Sequence, residues 1–169
     1  MLGLVFSLIG DIVLDLKVID RQHDFYYTNF GMGSFALAHM MYLFAIIGLS
    51  SGVKLWVPAV VSIAISLAVS SLIMLVLAKP LKLHFGKYFW QSYAYSFILI
   101  FMTSFSIYLA FSVARMWIFA TGLSLFLASD LVLSTQYFSD KLDNKFLIVV
   151  NHALYYLAQI AIYSVIFSI

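Results

Sequence analysis

Five apolar runs, each about as long as a bilayer is thick, decide what this chain can become. They fall at roughly 30–50, 55–78, 93–114, 117–137 and 147–168. A helix needs about 20 mostly apolar residues to cross a hydrocarbon core of about 30 Å. A sixth run, Met1–Leu16, is shorter, since sixteen helical residues rise only about 24 Å. Stretches such as Val69–Leu77 (VSSLIMLVL) and Ser96–Met102 (SFILIFM) lack the polar alternation of a barrel strand. The expected fold is therefore all-α, a polytopic transmembrane bundle of about six helices.

Composition closes off the alternatives. Only 9% of the 169 residues are charged, against about 25% in a soluble domain. All seven acids are Asp, so the Glu that soluble helices place on exposed faces is absent. A water-soluble globule, a disordered chain and a disulfide scaffold are excluded together. With no Cys there is no thiolate nucleophile and no Cys-ligated metal. A net charge of +2, scattered along the chain, gives no footprint for nucleic acid.

The connections, at roughly 17–29, 51–54, 79–92, 115–116 and 138–146, are short and carry most of the charge. The first, third and fifth hold Lys17, Arg21, Lys79, Lys82, Lys87, Lys141 and Lys145; the other two hold only Lys54 and Arg115. The positive-inside rule then places the odd connections in the cytoplasm and both termini opposite. Residues 1–169 read as a single transmembrane domain, without linker, low-complexity segment or cleavable signal peptide. A bacterial inner membrane is the expected location, and an internal eukaryotic membrane is the alternative.

Ionisable groups inside spans are costly and point to function by default. Here they are Asp11 and Asp15 in the first helix, His39 in the second, Asp130 in the fifth and His152 near the start of the sixth. Asp15 and His152 lie close to the interface and read as solvated or interfacial. Asp130 is the hardest to dismiss, with no Lys or Arg within a helical turn, and Asp11 follows. Counted from the helix ends, Asp11, His39, Asp130 and Tyr155 reach similar depths, with Gln159 one turn deeper. His39 with Tyr42, and Tyr155 with Gln159, share helix faces at i,i+3 and i,i+4. Tyr95 and Ser129 are further neutral partners, and a single polar pocket is the expectation.

Motifs for other chemistries are missing. There is no HExxH, no GxSxG and no Walker glycine run, so no metal and no cofactor is expected. Two carboxyl groups in different surroundings can divide into acid and base. That pairing suits hydrolysis of an acid-labile ether or glycoside-like bond. Proton-coupled transport is equally open on these residues, as is lipid binding without catalysis.

Five strings, in order, resemble the YhhN family of lysoplasmalogenase-like membrane proteins. SLIGDIVLDL (Ser7–Leu16) looks like its GD-containing second helix, and FGMGSFALAHMMY (Phe30–Tyr42) resembles the next signature. AYSFILIFM (Ala94–Met102), GLSLFLASD (Gly122–Asp130) and YYLAQ (Tyr155–Gln159) are similar to later ones. The family is usually built of eight transmembrane helices. The resemblance therefore implies that a first helix, its Lys-Pro segment and the front of the second are missing here. It also implies hydrolysis of the vinyl ether bond of a lysoplasmalogen, giving a fatty aldehyde and a glycerophospho-alcohol. On that implication Asp130 is expected as the acid that protonates the vinyl β-carbon and Asp11 as the base, with the exchanged assignment as the alternative. His39, Tyr42, Tyr95, Ser129, Tyr155 and Gln159 bind substrate or orient water. The partners are a lysophospholipid and the bilayer.

Overall fold

The computed structural model describes residues 2–50, 52–139 and 144–166, all of its regular structure helical. Lys141 of the charge count and the end of the sixth expected span lie outside these residues. The helices are α1 (Leu2–Ile19), α2 (Asp24–Leu49), α3 (Trp56–Ser71), α4 (Phe89–Ala110), α5 (Met116–Tyr137) and α6 (Lys145–Ile166). Five stretches are long and apolar enough to cross a membrane: Asp24–Leu49, Trp56–Leu77, Gly86–Ala110, Met116–Tyr137 and Lys145–Val165. The protein is thus a multi-pass membrane protein. Its contacts divide it into two compact units, residues 1–51 and 52–169.

In the first unit, α1 and α2 form an antiparallel hairpin. Gly3 lies against Tyr42, Gly10 against Phe35, and Leu14 against Gly31. Lys17 Nζ donates to Thr28 Oγ1 at 3.2 Å. Steps of seven, four and three residues along α1 are met by equal steps back along α2, so the register is straight. Three bare α-carbons let the helices approach this closely, since a Cβ at any of them would strike the facing side chain. The register also shows that α1 runs beside the α2 span despite its three charges.

The sequence places the start of the second helix near residue 30, but α2 begins at Asp24. The added turn (DFYYTN) is too polar for a hydropathy count. It is held by contacts: Thr28 is buried, and Asp24 Oδ1 pairs with Lys17 Nζ at 2.9 Å. Asp24 also sits in the first turn of α2, where the helix dipole favours an anion.

The second unit packs in chain order, α3 on α4, α4 on α5 and α5 on α6. Pro58, Ser62, Ser66 and Ser70, four residues apart, are the buried stripe of α3. Small side chains there admit a close neighbour where apolar area alone gives little driving force. Most hydroxyls inside the spans bond their own helix: Ser66 to Ser62 O, Ser104 to Ile100 O, Ser124 to Ala120 O. Such groups cost little and carry no message.

Past Ser71 the backbone widens into a π-helical turn, Leu72–Leu77, and then closes in a C-cap. The Leu83 N–H donates to Ala78 O at 2.9 Å and the Lys82 N–H to Lys79 O at 3.1 Å. Lys82 takes the left-handed conformation, with φ of 54°. That is a Schellman motif, with its usual apolar contact, Leu83 and Ala78 both lying in one buried cluster with Met74, Phe85 and Phe138. The His84 N–H donates to Phe138 O at 2.6 Å, and the Phe85 and Phe138 rings lie 4.7 Å apart. The α3–α4 connection is therefore a folded plug under the end of α5.

Candidate functional site

The α1–α2 hairpin places its polar groups along one seam. Ser7 Oγ and Tyr42 Oη lie 3.2 Å apart in the buried interior. The His39 ring stands edge-on to Tyr42, 5.7 Å between centroids, and is buried. Its Nδ1 is 2.8 Å from Phe35 O. A carbonyl only accepts, so Nδ1 carries the hydrogen. Asp11 is half-buried, one turn along from Ser7. The hairpin register puts it level with Ser34, about 7 Å along the axis from His39. Asp15, by contrast, is exposed.

Outside the membrane, the same unit closes with a small polar knot. Asp20 accepts from the His23 ring at 2.8 Å, from Tyr27 Oη at 3.2 Å and from the Gln22 N–H at 3.2 Å. The His23 hydrogen bond, above all, holds the Asp20 carboxyl below its usual range.

The second unit centres on Asp130. Tyr95 Oη, on α4, donates to Asp130 Oδ2 at 2.7 Å, a normal length for a hydroxyl-to-carboxyl hydrogen bond. This joins two residues that the sequence singles out, 35 positions apart, across a helix interface inside apolar spans. Asp130 is half-buried rather than sealed. The neighbouring Ser129 donates to Asn151 Oδ1 on α6 at 2.7 Å and lies 3.1 Å from the Asn151 carbonyl. Sequence reasoning missed Asn151, although an Asn inside an apolar run, one turn before Tyr155, was a readable signal.

Axial positions differ from the count made along each helix. Ser129 faces Asn151, Phe126 meets Tyr155 edge-on at 5.5 Å, and Gly122 abuts Ala158 and Ile162. This antiparallel register sets Asp130 beside residue 150. Tyr155 is then about 7 Å, and Gln159 about 13 Å, further along the α5–α6 seam. The single shared depth expected within this unit therefore becomes a ladder, with Tyr95, Asp130 and Ser129 on one rung. The reason is that α6 starts at Lys145 and is fixed by its packing on Gly122, not by where hydropathy rises. Gln159 is 9% exposed, and neither amide atom has a partner among the described residues. His152 is exposed and bonds Ile148 O through Nδ1 at 2.8 Å, in keeping with an interfacial role. Among the described residues, no three His, Asp or Glu side chains group closely enough to hold a metal.

No curated protein and no solved structure matches the chain. The YhhN family model matches residues 1–166, nearly the whole of it. With an all-helical, multi-pass architecture and the family's ordered signatures in place, the chain belongs to the YhhN family.

Proposed function

We propose that this protein is a lysoplasmalogenase-type hydrolase, cleaving the vinyl ether of a lysophospholipid within the membrane. The observation that carries the reading is the Tyr95–Asp130 hydrogen bond. A carboxyl group is kept at a defined position in apolar surroundings, where acid–base chemistry is its most economical use. In the reaction a carboxylic acid gives its proton to the β-carbon of the vinyl ether. The C=C electron pair forms the new C–H bond, and the ether oxygen stabilises the resulting oxocarbenium cation. Water adds to that carbon and loses a proton to a base. The hemiacetal then collapses to a fatty aldehyde and the free glycerol hydroxyl. Protons balance, with one water consumed.

Asp130 is assigned the acid, positioned by Tyr95, and Asp11 the base. Ser129 with its partner Asn151 lines the path of the glycerol portion, and Tyr155, about 7 Å deeper along the seam, lines that of the alkenyl chain. Tyr42 and His39 order the polar seam of the hairpin. Gln159, about 13 Å deeper than Asp130, is assigned a bound water rather than the glycerol hydroxyl, because its amide is buried without a partner among the described residues. No cofactor enters this scheme. A bacterial inner membrane, with the lysine-rich connections facing the cytoplasm, is the assigned location.

The test is aldehyde release from lysoplasmalogen by the purified full chain, compared with Asp11→Asn, Asp130→Asn and the double variant. Each single change is expected to cost about 10²–10⁴-fold, the range of general acid–base catalysis. The double variant should be at least as slow as the slower of the two single variants. Full activity in both single variants removes the mechanism. A wild type that moves a proton or lipid without releasing aldehyde is a transporter instead.

A further inference from the structure

The α3–α4 connection carries Lys79, Lys82, His84 and Lys87, with no acid from residue 79 to residue 92. Setting membrane orientation requires only that lysines be present, in any conformation. This connection is instead built. Its backbone is closed by the Schellman bonds, its apolar side chains are buried with Phe138, and the His84 N–H is tied to Phe138 O. Most telling is Lys82. It occupies the position just past the C-cap that needs a left-handed backbone, where Gly is the default and an L side chain is strained. A cation one or two positions earlier would serve the helix dipole equally well without that strain. The strain fixes an ammonium stem on the same tight turn as Lys79. Both lysines are exposed, and neither makes an ion pair among the described residues. Exposed Leu81 lies between them and exposed Trp90 follows, the side chains of a segment that sits at a membrane surface.

Depth adds a second, independent argument. Phe138, on which this connection is packed, is eight residues from Asp130 along α5, or about 12 Å. In a lysoplasmalogen, roughly seven bonds separate the phosphorus from the vinyl β-carbon, about 9 Å when extended. The flexible lysine stems cover the remainder.

We propose that the turn formed by Lys79 and Lys82 is the headgroup seat of this protein, binding the phosphodiester of a lysophospholipid whose vinyl ether lies at Asp130. The inference rests on the hydrolase reading for the identity of the reacting bond, but its phosphate chemistry stands apart from turnover. It makes the protein selective for phosphate-bearing ether lipids over neutral ether glycerides of the same chain length.

The test is binding to the full chain in nanodiscs of phosphatidylcholine, with two non-hydrolysable probes: 1-O-alkyl-lysophosphatidylethanolamine and 1-O-alkylglycerol. Wild type should prefer the phosphate-bearing probe by ten- to thirtyfold. Lys79→Gln and Lys82→Gln should each lose about fivefold for that probe and nothing for alkylglycerol. Lys82→Gly keeps and relaxes the left-handed backbone while removing the charge, so an equal loss there separates charge from folding. Lys82→Arg should restore binding. Free glycerophosphate at millimolar concentration should not compete, which identifies the lipid as the source of the phosphate. Equal affinity of wild type for both probes, or equal losses on both in the variants, overturns the proposal. If phosphate selectivity is found but lysoplasmalogen gives no aldehyde, the seat stands and the hydrolase reading falls. Aldehyde release without selectivity does the opposite.

Discussion

The α5–α6 crossing turns on Gly122, and its substitution by Ala tests the register on which the whole second unit depends. A Cβ built there would meet Ile162 Cγ1 at 2.8 Å, the Ile162 backbone N at 3.0 Å and the Ala158 carbonyl O at 3.1 Å. The first neighbour is a side chain that can turn away, but the other two are backbone. They can only yield if α6 itself moves by some tenths of an ångström. Overpacking of this kind costs about 1–3 kcal/mol. Against it stands the helix-propensity gain of replacing Gly by Ala, close to 1 kcal/mol. The net expectation for Gly122→Ala is a loss of about 0–2 kcal/mol. Gly33→Ala supplies the reference, because nothing lies within 4 Å of a Cβ there and only the gain remains. The two variants should therefore differ by about 1–3 kcal/mol in opposite directions. At about 2–4 °C per kcal/mol for a chain of this size, heating in micelles separates them. The natural lack of Cys permits a second readout. A Ser129→Cys/Asn151→Cys pair should cross-link in the wild-type background and more slowly when Gly122→Ala is added. If Gly122→Ala melts as high as Gly33→Ala, the close crossing is wrong. The axial ladder of polar residues drawn from it falls with it.

Two further outcomes follow from the polar contacts. Tyr95→Phe removes the 2.7 Å bond to Asp130 while keeping the ring. Aldehyde release should fall roughly 2- to 10-fold in kcat, as expected for losing a hydrogen bond worth about 0.5–1.5 kcal/mol, and an unchanged rate would end the positioning role of Tyr95. Asp20, lowered from its ordinary 3.8 mainly by the His23 bond, contributes stability that is complete above 3.8 and lost as pH falls through its lower folded value. Amide protection factors in residues 20–23, corrected for the intrinsic pH dependence of exchange, should accordingly be steady from pH 7 to about pH 4 and fall only below; a fall centred at pH 6 would assign the change to another group.

The spans were legible because lipid imposes one condition, internal satisfaction of every backbone group, and apolar runs of the right length meet it only as helices. Asp130 and Tyr95 were legible for the related reason that polar side chains in such runs are rarely idle. What escaped were properties of pairs. Nothing local in DFYYTN says helix. Its Thr28 and Asp24 become helical by meeting Lys17 on α1. Nor does LIMLVL announce a π-helical turn, since the widened backbone changes no side-chain pattern. Lys82 at the left-handed position just past the C-cap was hidden because that position normally shows itself as Gly.

Depth is the instructive case. Counting residues from a helix end treats each helix as an independent ruler, and all rulers then share a zero at the membrane boundary. Packed helices share no such zero. Their offset is set where backbones come closest, and in the second unit that is Gly122 against Ala158 and Ile162. Once this contact is fixed, Ser129 must face Asn151, and Gln159 must lie far from Asp130, whatever the hydropathy of their flanks. Gly122 carries no functional group, and its absent side chain decides which functional groups meet. The same logic explains why most hydroxyls in these spans are silent while those that bridge helices are not. Ser66, Ser104 and Ser124 find acceptors one turn back on their own helices and are indifferent to register. The Tyr95–Asp130 and Ser129–Asn151 contacts exist only if α4, α5 and α6 hold one relative setting. In a low-dielectric interior the cost of losing them enforces that setting. A site built this way is specified by small residues at crossings, and its polar members are placed by them.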